Sequence, residues 1–130
     1  MSALAPPALG LVGVPFRLHG RDPATGLDCV GLVAEAMRRA GYRPVPPEGY
    51  RMRSASPHGL LRFAAASGLT EIADGGDVVL AMVNPLQPHL LIRVPDGFVH
   101  AHAGIGRVTL MPAPLPWPTT LQWRVIPQRT

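Results

Sequence analysis

Gly26-Leu27-Asp28-Cys29-Val30-Gly31-Leu32 is the stretch on which the reading of this chain turns, and it holds the only cysteine of the 130 residues. Asp28 is a residue type that caps helix N-termini. The residues after it have helical spacing: Leu32, Val33, Ala36 and Met37, then Arg38 and Arg39, then a closing Gly41. A helix is therefore expected over about residues 28–40, with Cys29 as its first residue. There the unpaired backbone N–H groups and the macrodipole favour an anion, which lowers a thiol's pKa. An inert buried cysteine is the alternative for any lone Cys. The cap, the position and the histidines downstream favour a reactive one.

Outward from this stretch, composition bounds the class. Hydrophobic residues make up 47% and charged residues 15% of the chain, enough apolar material for a sizeable core in a single domain spanning 1–130. No apolar run reaches the roughly 18 residues of a membrane-spanning helix. The start, Met1-Ser-Ala-Leu-Ala-Pro-Pro, has no positive charge before its apolar part and is broken by prolines, so it does not read as a signal peptide and cytoplasmic synthesis is expected. One cysteine precludes an internal disulfide framework. All 12 basic residues are arginine; the formal charge of +4 is spread without a basic run, and aromatics are 5%. Neither feature suits a nucleic-acid platform, which needs clustered positive charge and stacking rings.

Along the chain, residues 1–12 give a proline-interrupted lead with a helical turn over Ala8–Val12. Gly13–Arg17 is an extended segment or turn, and His19–Gly26 is a loop by its Gly, Asp and Pro content. Residues 42–55 are loop, with Arg51 and Arg53 solvated. Ser56-Pro57 starts a second helix that runs to about Ser67, with His58 on its surface. After Gly75-Gly76 the pattern changes to strands: Asp77–Met82, Leu90–Val94, Gly97–Ala101, Arg107–Met111 and Gln122–Ile126. Pro95-Asp96-Gly97 signals a tight hairpin. Met111–Pro118 is too rich in proline for helix or strand and reads as an extended connector. Helices followed by a run of antiparallel strands make the fold class α+β.

That hairpin would set His89 and His100 near each other at one end of the sheet. If the Cys29 helix packs across that end, Cys29, His89 and His100 supply a nucleophile, a base and an orienting group. An imidazolium beside the sulfur would let the pair rest charged at neutral pH. His102 lies two residues from His100 and on a strand shares its face. Cys29, His89, His100 and His102 are therefore also a possible zinc set of one thiolate and three imidazoles. His19, in the loop before the nucleophile, is a loop residue or touches substrate.

Gly13-Val-Pro-Phe-Arg17, Gly26-Leu-Asp-Cys-Val-Gly-Leu-Val33, Gly76-Asp-Val-Val-Leu80, His89-Leu-Leu-Ile92 and Phe98-Val-His-Ala101 together resemble the NlpC-like cell-wall peptidases, papain-like cysteine peptidases of bacteria and phages. The segments stand in the family's order and cover most of the chain. The resemblance implies a papain-like fold, with helices on a five- to six-stranded antiparallel sheet. It places the catalytic cysteine at Cys29, the histidine at His89 and the third polar residue at His100, and it implies no cofactor and no metal. The implied substrate is peptidoglycan stem peptide, often cut between D-glutamate and the diamino acid.

Gly13-x-Pro-Phe-Arg17, Asp-Cys-Val-Gly-Leu and the run from His100 to Val108 resemble the short phage-tail or gene-transfer-agent type. Such a protein would be carried with tail hub or baseplate proteins and open the cell wall during DNA entry. Asp28 matches the position implicated in holding the substrate's free amine, a role beside its cap. Phe16 stands where many members have a tyrosine near the oxyanion position and lacks its hydroxyl. Val30 stands where many have serine. Arg17 and Arg21 are either partners for substrate carboxylates or solvated surface residues.

Overall fold

The computed structural model describes residues 3–46 and 58–125. The expected helix start at Ser56-Pro57, Arg51 and Arg53 lie outside the described residues, as does the side chain of His58. Helix α2 (Cys29–Arg39) begins where Asp28 turns into it from extended backbone. The Asp28 carboxylate accepts the Gly31 N–H at 2.9 Å, which satisfies a donor that a first turn leaves unpaired. Val30, Leu32, Val33, Ala36 and Met37 are buried on its inner side. Glu35 on its outer side takes Arg38 and Arg39. Helix α1 (Ala5–Gly10) starts earlier than the expected turn over Ala8–Val12. Pro6 and Pro7 sit in its first turn, where a missing N–H costs nothing, so they open the helix rather than break it. Helix α3 (His58–Ala66) buries Leu60, Phe63 and Ala64.

Two short strands, β1 (Arg21–Asp22) and β2 (Gly26–Leu27), form a hairpin inside the stretch that reads as loop. The main sheet is antiparallel and six-stranded. Its members are β3 (Thr70–Ile72), β4 (Val78–Asn84), β5 (Gln87–Val94), β6 (Gly97–His102), β7 (Arg107–Pro112) and β8 (Thr119–Arg124), in the order β3-β8-β4-β5-β6-β7. The fold is thus α+β, with the helices ahead of the sheet. Strand β3 was not expected, because Thr-Glu-Ile is too short to show an alternation. Strand β8 starts at Thr119, ahead of the expected Gln122, since two β-branched threonines come directly after Pro118. The tight turn at Pro95-Asp96 is as expected: Val94 pairs with Gly97. A Cβ at Gly97 would stand 2.1 Å from the Met111 carbonyl oxygen, so only glycine lets β7 lie this close.

Side chains on β4 to β7 alternate between two covered faces. Leu80, Leu90, Ile92, Val94, Val99, Ala101 and Val108 face the three helices and form the main core. Val79, Ala81, Leu91 and Phe98 face the other way and are covered by Met111, Leu115 and Trp117. Met111 belongs to β7 itself, and Leu115 and Trp117 to the connector between β7 and β8. Because β7 is the sheet edge and β8 lies beyond β4, the connector crosses β6, β5 and β4. Its Ala113 N–H donates to the Asp96 carbonyl at 3.3 Å, and its Pro118 carbonyl accepts the Met82 N–H at 3.2 Å. Pro114, Pro116 and Pro118 point outward, and Leu115 and Trp117 point in, half-buried. The segment Gly13–Arg17 is stitched between β2 and β7. Phe16 bridges Leu27 in parallel and Pro15 bridges Arg107 antiparallel. The Gly13 N–H donates to Val108, the Val108 N–H to Val14 and the Phe16 N–H to Gly106. Among the described residues no helix is long and apolar enough to cross a membrane.

Candidate active site

His89 and His100 meet diagonally across the hairpin: continued past Ile92↔Val99, its register would set Leu91 opposite His100 and His89 opposite His102. His89 is the third residue of β5 and His100 the fourth of β6, and both lie on the face that carries Leu91 and Phe98. His89 Nε2 and His100 Nδ1 are 3.0 Å apart, a hydrogen bond between the rings. Their ring centroids are 5.2 Å apart at 78°. His100 is 3% exposed. When the shared proton sits on His89 Nε2, His89 Nδ1 is left as an acceptor, which is the tautomer a base needs.

Cys29 approaches from the other side. Helix α2 packs on the opposite face of the sheet, with its N-terminus at the stretch where β5 and β6 lose their ladder. Their pairing runs from Val94↔Gly97 to Ile92↔Val99 and stops. Leu90, just past that point, turns its backbone N–H to the Cys29 sulfur, as does Val30. Among the described residues no hydrogen bond joins Cys29 to His89; the sulfur stands instead against the residue next to it. The two imidazoles are thus joined to each other, and the Cys29 sulfur meets the strand one residue on, at Leu90.

The electrostatics correct one expectation. Cys29 is half-buried, and its thiol is not activated at rest. Burial first and the Asp28 charge second push it up from 9.0 to about 12, against smaller lowering from the N–H groups of Leu90 and Val30 and from Arg21. The helix N-terminus that should favour a thiolate is already occupied by the Asp28 carboxylate. The histidines do not rest charged either. Burial, then His100 and His102, push His89 from 6.5 down to about 3. Burial, then His102, push His100 from 6.5 down to about 4. The resting site is a neutral thiol beside two neutral imidazoles.

Asp28 is 2% exposed. Besides Gly31 it accepts the His19 N–H at Oδ2, 2.8 Å, and Arg21 Nη1 at Oδ1, 3.0 Å. Arg21 is therefore placed on Asp28 and on the Gly20 carbonyl, and Asp28 serves the cap and the loop before it. His19 contributes its backbone, held at φ 62°, while its ring is exposed. Arg17 is exposed on the same loop, and Phe16 packs half-buried against the core, bridging Leu27. Gly20 fits against the first turn of α2, where a Cβ on Gly31 would stand 2.0 Å from the Gly20 carbonyl oxygen.

His102 turns its Nδ1 to the Ile105 N–H at 3.1 Å, which leaves its proton on Nε2. Its ring lies 5.2 Å from that of His100. The four-residue zinc set is not formed: two of its nitrogens already share a proton, a third is taken by the β6–β7 turn, and among the described residues no group of three or more such side chains converges to hold a metal. Sequence reasoning missed Trp117. Its ring lies edge-on to His89, with centroids 6.2 Å apart, and 6.1 Å from His100. The signal was present in the alternation of proline with Leu115 and Trp117, a period of two that reads as one face turned inward.

No protein-family model matches the chain, and no curated protein matches it. Among solved structures, the chain is similar to the crystal structure of the NlpC/p60 domain of the peptidoglycan hydrolase SagA. The TM-score is 0.56 and the identity 21%, over 85% of this chain and 86% of that one. The two share a fold.

Proposed function

We propose that this chain is a cysteine peptidase of the NlpC-like kind that cuts peptidoglycan stem peptides, at the bond between D-glutamate and the diamino acid. The observation that carries the reading is the 3.0 Å His89–His100 hydrogen bond beside the N-terminus of the Cys29 helix, in a fold similar to that of a peptidoglycan hydrolase domain. Cys29 is the nucleophile, His89 the base and His100 the orienting group. With both partners neutral at rest, His89 Nδ1 takes the thiol proton as the sulfur attacks the carbonyl carbon. The Cys29 backbone N–H faces the developing oxyanion, since Phe16 has no hydroxyl to offer. The resulting imidazolium is held by His100 through Nε2–H and returns the Nδ1 proton to the leaving amine. Water then repeats the sequence on the thioester and releases the acid.

The run from His100 to Val108 and the Gly13–Arg17 segment support assignment to a phage-tail or gene-transfer-agent particle acting at the cell wall, with a tail hub or baseplate partner. Mass spectrometry of purified peptidoglycan fragments tests the reading. New free amines at the diamino acid with the wild type, and none with Cys29→Ala, are expected; equal cleavage by both would sink it. A second reading, a tail-hub protein of the same fold with little turnover, is favoured by Phe16 and by the thiol pushed up to about 12. It expects no cleavage and a stable complex with a tail protein.

A further inference from the structure

Trp117 and its connector are not explained by the fold alone. The connector takes the short route across three strands and is tied at both ends, at Asp96 and at Met82. Three prolines stiffen it by fixing φ. Two side chains point inward. Leu115 covers the apolar patch of Val79, Ala81, Leu91 and Phe98, as does Trp117. Trp117 also reaches beyond the patch to a polar group, the bonded pair His89 and His100, and touches both rings.

We infer that Trp117 is a positioning residue: its ring, held by the proline-flanked strap 113–118, walls the His89–His100 hydrogen bond off from water and keeps the two imidazoles in one tautomer. The inference rests on the proposed roles of those histidines as base and orienting group. A hydrogen bond between two neutral rings competes poorly with water when exposed and holds when water is excluded. Removing the water also disfavours an imidazolium, so the base stays ready to accept a proton at low pH. Burial is the first cause of the lowered basicity of both rings. The other titratable groups around the pair, among the described residues, are His102 on β6, Arg107 paired with it across the ladder, and Cys29 from α2. Strand β4 presents Ala81 opposite His89, and the strap brings no charge.

The test is an NMR titration of the histidine rings in the wild type, Trp117→Phe and Trp117→Ala, with the backbone spectrum as the check on folding. It needs no substrate, so a failure to cleave peptidoglycan does not affect it. In the wild type, His89 and His100 should titrate well below 6.5, with a slowly exchanging proton on His89 Nε2. In Trp117→Ala both midpoints should rise by about one pH unit or more, and the slow proton should vanish. Trp117→Phe should lie close to the wild type. Where the alanine variant is unfolded, Trp117→Leu, which still fills the apolar patch of Val79, Ala81, Leu91 and Phe98 but leaves the two rings uncovered, takes its place with the same expected rise. Wild-type rings that titrate near their ordinary value, or a folded alanine variant with unchanged midpoints, would overturn the inference. In an active enzyme the acid limb of kcat/KM should move with the midpoints.

Discussion

At Asp28 one carboxylate gathers donors from Gly31, His19 and Arg21, and the same charge stands beside the Cys29 sulfur. The helix start therefore works against early ionisation of the thiol. Alkylation of Cys29 by iodoacetamide is expected to be slow at neutral pH and to keep rising beyond pH 9.0. A plateau below that would contradict the assignment. Asp28→Asn keeps an oxygen for Gly31 and removes the charge, so it should alkylate several-fold faster at a given pH. Asp28→Ala also loses the cap and removes one acceptor from Arg21 and one from the His19 N–H, a loss of about 2 kcal/mol or more in urea unfolding. The cap could be read from sequence because it is a local rule spanning four residues. The burial of the sulfur could not, because it depends on Leu90, far along the chain.

Among the elements, α2 depends on a glycine where helix propensity would prefer alanine. In an exposed helix Gly→Ala gains about 1 kcal/mol. At Gly31 the added Cβ would meet the Gly20 carbonyl at 2.0 Å, so the sign reverses. Gly31→Ala should lose about 2–3 kcal/mol, measured by the urea midpoint, and should loosen the loop that presents Arg17 and His19. The helix and the β5–β6 hairpin were legible because capping, spacing and turn chemistry are local. The β1–β2 ladder, β3 and the path of residues 113–118 over the sheet were not. Each is decided by a distant partner: Leu27 by Phe16, β3 by β8, Trp117 by the two histidines. The juxtaposition of His89 and His100 was readable because both strands flank one tight turn.

For the whole molecule, the three shifted groups confine stability to a window. Below 6.5 the unfolded chain holds more protons on His89 and His100 than the native one, down to about 3 and about 4 respectively. Stability must therefore fall as pH drops through that range, by up to about 1.4 kcal/mol per pH unit for each ring. Above 9.0 the native Cys29 keeps a proton that the unfolded chain loses, up to about 12, so stability falls again as pH rises. Urea midpoints measured from acid to alkaline buffer should peak between these limits, and Cys29→Ser should flatten the alkaline side. The α+β class was legible from the order of helices and strands; the cover on the second face was not, because composition does not say which side of a sheet a proline-rich connector will take. The stitching of residues 13–16 onto β7 has a consequence for crowding. An open sheet margin is a template on which another chain's strand can grow. Here the outward amide and carbonyl of Val108 and the carbonyl of Gly106 are already engaged, and the opposite margin, β3, is three residues long. Packed side by side at high local concentration, copies of this chain find the first part of the β7 margin closed, and only the stretch from Leu110, 48% exposed, is left to extend.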